Sequence, residues 1–247
     1  MTVHLLRGMH FPTWMRLLRQ HRVDWRYFWR VLDITGTSLV CWPMDIIEKA
    51  ATRRTTRRVS VERPVFIVGH WRSGTTYLQQ LLWKSGNFGC VSVFHCAAAG
   101  RFLTFGPLWR RVLSIAFPSG RAQDNVRLEV DGPAEEESAM ARISDQAFDH
   151  CYHFPRDARQ IIRRSVLFEN RKDLENEWAR VYADFIEKVT QELAGSQLLL
   201  KNPANTARIS KLVEMYPDAR FIHIYRNPYE VFYSTRKMWQ SLIAQQT

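Results

Sequence analysis

The sequence predicts an α/β fold: a central parallel sheet with helices on both faces, three layers in all, behind an N-terminal helical arm. Three observations predict it. The apolar runs VFIVG (65–69), LLLK (198–201) and RFIHIY (220–225) have the composition of strands buried on both faces of a parallel sheet. Each leads into a glycine or Asn-Pro signal and then into apolar residues at helical spacing. Strands alternating with helices need crossover connections, which make neighbouring strands parallel. The 247 residues suffice for one sizeable core with an appended arm. The expected division is an arm and linker over 1–60 and the α/β domain over 61–247.

Within the arm, the spacing predicts one helix over 12–32. Trp14, Leu17, Leu18, Trp25, Phe28, Trp29 and Leu32 form a stripe, with Arg16, Arg19, Arg22, Arg26 and Arg30 interleaved. Three readings stand: an arm packed over the main domain, an amphipathic helix resting on an anionic membrane, or a contact with a partner protein. Thr52–Arg58 (TRRTTRR) reads as a solvated linker. No secretory signal precedes it, and the most apolar early run, Val31–Ile47, holds Asp33 and Asp45 and is too short to span a bilayer. The expectation is a cytoplasmic protein, at most peripheral at a membrane.

Net charge is +11, of which residues 1–60 supply +7. Anionic partners follow: nucleotides, nucleic acid, acidic lipid, or sulfated and phosphorylated substrates. The four cysteines form no C-x-x-C pair and read as packed, reduced thiols. His150, Cys151 and His153 read as packed residues, and no metal site is expected.

The loop after the first strand, GHWRSGTT, has the G-x-x-x-x-G outline of a phosphate cradle between strand and helix. Backbone N–H groups around Arg72–Thr76 would face inward and meet the positive end of the helix dipole. Arg72 supplies a cation, Ser73, Thr75 and Thr76 supply hydroxyls, and Gly74 permits the turn. A nucleotide-hydrolysing loop carries lysine where this chain has Thr75, so metal-assisted γ-phosphate transfer is disfavoured and a phosphate-like anion held by arginine is expected. The bland alternative is a glycine turn that merely joins strand to helix.

Downstream, Gly132-Pro133 reads as the opening of a helix with Asp131 near its cap and Glu135, Glu136 and Glu137 in its first turn. A long helix covers 171–194 and stops at Gly195. Further helices follow Asn202-Pro203 and Asn227-Pro228. Arg226 falls at the C-terminal edge of a buried strand, where open α/β sheets bind ligands. Ser234 lies two helical turns on, and both reach one anion if that helix folds back beside the strand. Val231, Phe232, Thr235 and Trp239 are expected to face the core.

Together, FIVGHWRSGTTYLQQLL and RFIHIYRNPYEVFYS resemble the 5′-phosphosulfate loop and the 3′-phosphate motif of sulfotransferases that use 3′-phosphoadenosine 5′-phosphosulfate (PAPS). LLLKNP resembles that family's intervening strand, whose lysine lies near the active site. The R-S-G-T-T and K-N-P forms are closer to the bacterial and the carbohydrate- or protein-modifying branches. The similarity runs from about Pro64 to Trp239. Family chains continue well beyond this helix, so a C-terminal part of the family fold is expected to be missing.

The resemblance implies a P-loop-like α/β fold, PAPS as co-substrate, a hydroxylated acceptor and metal-independent in-line transfer. Arg72, Ser73, Gly74, Thr75 and Thr76 would hold the 5′ end of the nucleotide, and Arg226 and Ser234 its 3′-phosphate. Lys201 would be a second cation at the leaving oxygen. A general base must take the acceptor's proton. The cytosolic branch uses a histidine two residues after the strand lysine, but Pro203 stands there. Glu135, Glu136 and Glu137 are the next candidates, though acids in a first turn often serve the helix dipole alone; His70 and His95 follow.

Two alternatives remain at this stage: a non-catalytic adenylate- or anion-binding module, and a P-loop kinase, which the absent lysine disfavours. The basic arm permits nucleic-acid binding, but no recognised motif supports it. Nothing in the sequence specifies an oligomeric state.

Overall fold

The computed structural model describes residues 4–55, 59–116 and 129–246. Its centre is a four-stranded, all-parallel sheet of β1 (Val65–Val68), β2 (Gly89–Cys90), β3 (Leu198–Lys201) and β4 (Arg220–His223), in the order β2-β3-β1-β4. Strand β1 lies between β3 and β4, with Phe66 opposite Leu200 on one side and Phe221 on the other.

Side chains alternate across this sheet, and both faces are covered. Phe66, Val68, Leu198 and Leu200 enter the large core on one face. Val65, Ile67 and Leu199 enter a smaller core on the other, against Leu78 and Leu82 of helix α3 (Thr75–Lys84). A parallel strand with no solvent face reads as a continuous apolar run, which is why VFIV and LLLK were legible. Each fully buried side chain of this kind contributes roughly 1.5–3 kcal/mol. The two-residue β2 carries no such run and was not foreseen.

The helices before the sheet are α1 (Phe11–Gln20) and α2 (Phe28–Thr55). The single helix expected over 12–32 is therefore broken. His21 is extended and bonds Asp157 at 2.7 Å, and Asp24 caps a short 3₁₀ turn by accepting from the Arg26 N–H. On α1, Trp14 and Leu17 are buried, and Thr13 reaches the carbonyl of Ile143, so this segment packs on the main domain. The expected linker is corrected too: helix α2 runs through Thr55, and only 56–58 lie outside the described residues.

Between β2 and β3 come α4 (Val93–Ala97), α5 (Phe102–Ala116), α6 (Glu136–Ile143), α7 (His150–His153), α8 (Ala158–Ser165) and α9 (Lys172–Glu192). Helix α6 starts three residues later than its Gly-Pro signal. Residues 132–134 are instead held extended beside 91–93, by Ala134 N–H to Val91 O at 2.8 Å and Val93 N–H to Gly132 O at 3.1 Å. Beyond β3 come a 3₁₀ segment over Pro203–Arg208, α10 (Ile209–Met215) and, after β4, α11 (Pro228–Gln246). On α11 only part of the expected inner face is inward: Val231 is buried, but Phe232 is exposed. All four cysteines are free and buried.

Candidate active site

Three adjacent strands end at one edge of the sheet, and each delivers a segment singled out above. The loop Gly69–Gly74 leaves β1, Lys201 ends β3, and Arg226 follows β4. The carboxyl edge of a parallel sheet is the usual ligand crevice because strand ends and helix N-termini converge there.

The loop's backbone is fixed by steric necessity. Gly69 has φ +141°, and a Cβ there would lie 2.3 Å from the carbonyl oxygen of Ile224. Its N–H donates to Thr206 Oγ1 at 2.9 Å, tying the loop to the segment after β3. Arg72 is left-handed (φ 68°), a conformation costing a non-glycine residue about 1–2 kcal/mol. Gly74, at φ +101°, is the N-cap of α3. The first backbone bond there runs from Leu78 N–H to Gly74 O, so the N–H groups of Thr75 and Thr76 belong to the unpaired first turn. Ser73 and Thr75 are buried and Arg72 is exposed.

Arg72 reaches across to α11, where its Nε–H donates to Ser234 Oγ at 2.9 Å. Aromatic contacts span the same gap: Trp71 stacks on Phe148 at 4.6 Å, Phe148 meets Tyr152 at 5.6 Å, and Tyr152 meets Trp239 at 5.3 Å. Arg226 is exposed and pairs with Glu230 at 2.6 Å. Glu230 lies one turn before Ser234, so both share a helix face.

The three consecutive glutamates at the start of α6 point in three directions. Glu135, the partly exposed N-cap residue, forms an ion pair with Lys201 Nζ, and the same ammonium group donates to Thr76 Oγ1 at 3.3 Å. Glu136 is fully buried. It accepts from Tyr182 Oη at 3.0 Å, from Asn205 Nδ2 at 3.2 Å and from the Lys201 backbone N–H at 3.2 Å. Burial pushes its carboxyl up to about 7, outweighing those hydrogen bonds. Glu137 is also buried. Burial alone would raise it, but the Arg208 guanidinium at 2.8 Å, with Asn202 Nδ2 and the Phe148 N–H, holds it below its ordinary value.

The two histidine candidates have other partners. A ring nitrogen of His70 lies 2.7 Å from the Trp71 carbonyl. His95 is buried in a capping box with Ser92, and its second nitrogen faces Glu192 at 3.3 Å. Of the residues considered as a base, Glu135 is the one paired with the Lys201 ammonium, which also reaches Thr76.

A family model described as the sulfotransferase family matches residues 64–247. The chain belongs to the sulfotransferase family. Two curated relatives are the omega-hydroxy-beta-dihydromenaquinone-9 sulfotransferases Stf3 of Mycobacterium bovis and Mycobacterium tuberculosis. Each is 30% identical over 252 residues, covering 95% of this chain and 61% of the relative. This sulfotransferase-family chain thus spans about three fifths of their length. Among solved structures, sulfotransferase STF9 from Mycobacterium avium matches with a TM-score of 0.60 at 21% identity, over 80% of this chain and 52% of that one. Sulfotransferase STF1 from Mycobacterium tuberculosis matches at 0.50 and 18%, over 78% and 55%. These two likenesses bear on the fold, and they agree with an α/β architecture around a parallel sheet.

Sequence reasoning missed several residues that surround these glutamates. Asp149 accepts from Ser138 Oγ at 3.0 Å, and burial, with the nearby carboxylates of Glu137 and Glu135, pushes it up to about 7. Tyr182, Asn205 and Arg208 hold the buried glutamates from elements far apart in the chain. No local motif marks them, because their roles arise only when α9 and the segment after β3 pack against α6.

Proposed function

We propose that this chain binds PAPS along the carboxyl edge of the sheet and transfers its sulfuryl group to the hydroxyl of a lipid-like alcohol. The Arg72–Ser234 hydrogen bond carries the reading, because it brings the loop after β1 and the helix after β4 into contact. A sulfated adenylate has anionic groups at two separated positions, and two separated cationic segments suit it. The N–H groups at the start of α3, with Arg72, Ser73 and Thr75, would hold the 5′-phosphosulfate. Arg226 would take the 3′-phosphate by exchanging Glu230 for it, with Ser234 donating alongside.

In the transfer step the acceptor oxygen bonds to sulfur as the bond from sulfur to the bridging phosphate oxygen breaks. The products are a sulfate monoester and adenosine 3′,5′-bisphosphate. Negative charge grows on the leaving phosphate, where Lys201 Nζ, beside Thr76, and the Arg72 guanidinium would stabilise it. Glu135 takes the acceptor's proton, so the Lys201–Glu135 pair opens as each finds its own partner. Glu136 and Glu137 would serve as buried supports that fix the end of β3 and the phase of α6.

The acceptor class follows the Stf3 relatives, whose names give a hydroxylated menaquinone, and the aromatic wall of Trp71, Phe148, Tyr152 and Trp239 suits an apolar body. The test is transfer of radiolabelled sulfate from PAPS to a panel of hydroxylated isoprenoids and quinols, without added metal. Labelled lipid product supports the reading. Tight nucleotide binding with no transfer to any acceptor would instead favour an adenylate-binding module.

A further inference from the structure

Helix α2 buries two carboxylates beside Ile34 and Cys41 and leaves large apolar side chains outward. Its inward face carries the charges: Asp45 pairs with Arg101 at 2.8 Å, and Glu48 accepts from the N–H groups of Leu103 and Thr104 at 3.2 and 2.8 Å. Both carboxylates are buried, and Glu48 is wholly so, with Lys188 at 3.7 Å. Between Asp33 and Lys49 the outward face carries none. Its exposed residues there are Gly36, Leu39, Val40, Pro43, Ile46 and Ile47, with Val40 74% exposed. One to two turns earlier the same surface shows Trp25, Phe28, Trp29 and Leu32, the two tryptophans 82% and 77% exposed. The stripe from Phe28 to Ile47 is about 30 Å long at 1.5 Å per residue. Contiguous apolar surface of this extent marks an interaction site rather than ordinary exposure.

We propose that this face of α2 docks in the plane of an anionic lipid bilayer. Three observations favour lipid over another occupant. First, exposed cations sit at both ends of the stripe: Arg22, Arg26 and Arg30 at the start, Lys49 at the end. The nearest acids are already engaged, Asp33 with Arg7 at 2.9 Å and Asp24 with Arg156 at 3.7 Å. Two copies of this helix laid face to face in either direction would oppose like charges, whereas an anionic headgroup layer neutralises both ends. Second, the exposed tryptophans and the arginines lie at the same end, the arrangement of a helix buried to headgroup depth. Third, a crevice of about 600 Å³ opens between the end of α1 and the start of α2. Leu18, Trp25, Phe28 and Val31 line it, with Arg19, Arg22 and Asp24 among the same wall residues, a combination suited to the headgroup end of one lipid. Among the described residues no helix is long and apolar enough to cross a membrane, so α2 lies on the surface. Of the stripe expected over 12–32, Trp14 and Leu17 pack into the core, in line with the packed-arm reading, while Trp25, Phe28, Trp29 and Leu32 are exposed.

The proposal concerns binding alone and stands apart from sulfuryl transfer. Its test is co-sedimentation of the full chain with phosphatidylcholine vesicles, with and without phosphatidylglycerol, alongside tryptophan fluorescence. The wild type should pellet with the anionic vesicles, with a blue shift, and bind neutral ones weakly. Val40→Asp with Ile47→Asp should cut anionic binding at least about tenfold. Replacing Arg22, Arg26 and Arg30 by Gln should cut it roughly a hundredfold, at about fivefold per cation. All five positions are exposed, and unchanged circular dichroism melts would show the variants folded. Equal binding by wild type and the Asp variant, binding indifferent to lipid charge, or none at all would overturn the proposal. So would a vesicle-free dimer that the Asp variant dissolves, which would assign the face to a second copy.

Discussion

Arg72 Nε lies 2.9 Å from Ser234 Oγ, although the two residues are 162 positions apart in the chain. The contact joins the loop after β1 to the helix after β4 and sets a guanidinium and a hydroxyl side by side. If that junction holds the nucleotide, Arg72→Ala should weaken adenosine 3′,5′-bisphosphate binding about 10- to 100-fold, the loss expected for hydrogen bonds to a charged group. Ser234→Ala should cost about fivefold, a neutral donor's share. The double variant should lose less than the product of the two, since the residues touch. Full additivity in the calorimetric titrations would argue that they serve separate sites.

The glutamates should separate by assay. Glu135→Gln is expected to cut turnover about 10²- to 10⁴-fold while leaving bisphosphate affinity intact, as for loss of a general base. Glu137→Gln should instead destabilise the fold by about 3–5 kcal/mol in urea melts, because Arg208 would be left buried without its counter-charge. Wild-type turnover in Glu135→Gln would remove that residue from the mechanism.

Glu136 carries a pH signature. Its carboxyl is held at about 7 in the folded chain against an ordinary 4.5, so the native state binds more protons than the unfolded state between those values. Its contribution is therefore most favourable below about 4.5, falls as pH rises to about 7 and stays low above that. Asp149, raised from 3.8 to about 7, acts in the same direction. The buried His150 and His153, both lowered, act oppositely below their ordinary 6.5, so the signature must be read as a difference. Subtracting the stability curve of Glu136→Gln from that of wild type should leave a decline of at most about 1.4 kcal/mol per pH unit across this window. A flat difference curve would contradict the assignment.

Gly69→Ala should be among the most damaging single-methyl changes in the loop. The added Cβ meets a backbone oxygen that cannot swing aside, and the positive φ adds strain. We expect a loss of more than about 1 kcal/mol in stability together with weakened bisphosphate binding. Gly74→Ala, with open space around its Cβ position, should cost only the backbone term.

How much of this was legible depends on the range of the interactions. Strands β1 and β3 are apolar on both faces, so their runs announced themselves, and the glycine loop with its helix followed from local backbone chemistry. RFIHIY was legible as a strand but not in its burial: β4 is the edge strand and exposes Arg220 and His223. The three glutamates could not be ranked. Consecutive helical positions are about 100° apart, so which one faces the cleft depends on where α6 starts. That start is set by the pairing of 132–134 beside 91–93, a tertiary fact. Helix α2 hid for a related reason. In the sequence Val31–Ile47 was an apolar run broken by Asp33 and Asp45, and only packing against Arg101, Lys188 and α5 turned Asp45 and Glu48 inward.

The most direct test is calorimetric titration of the chain with adenosine 3′,5′-bisphosphate, without magnesium, set against ATP with magnesium. A cleft built from the segments around Arg72 and Ser234 should bind the bisphosphate without metal and more tightly than the ATP complex. ATP–magnesium binding as tight or tighter, or no bisphosphate binding at all, would contradict the account.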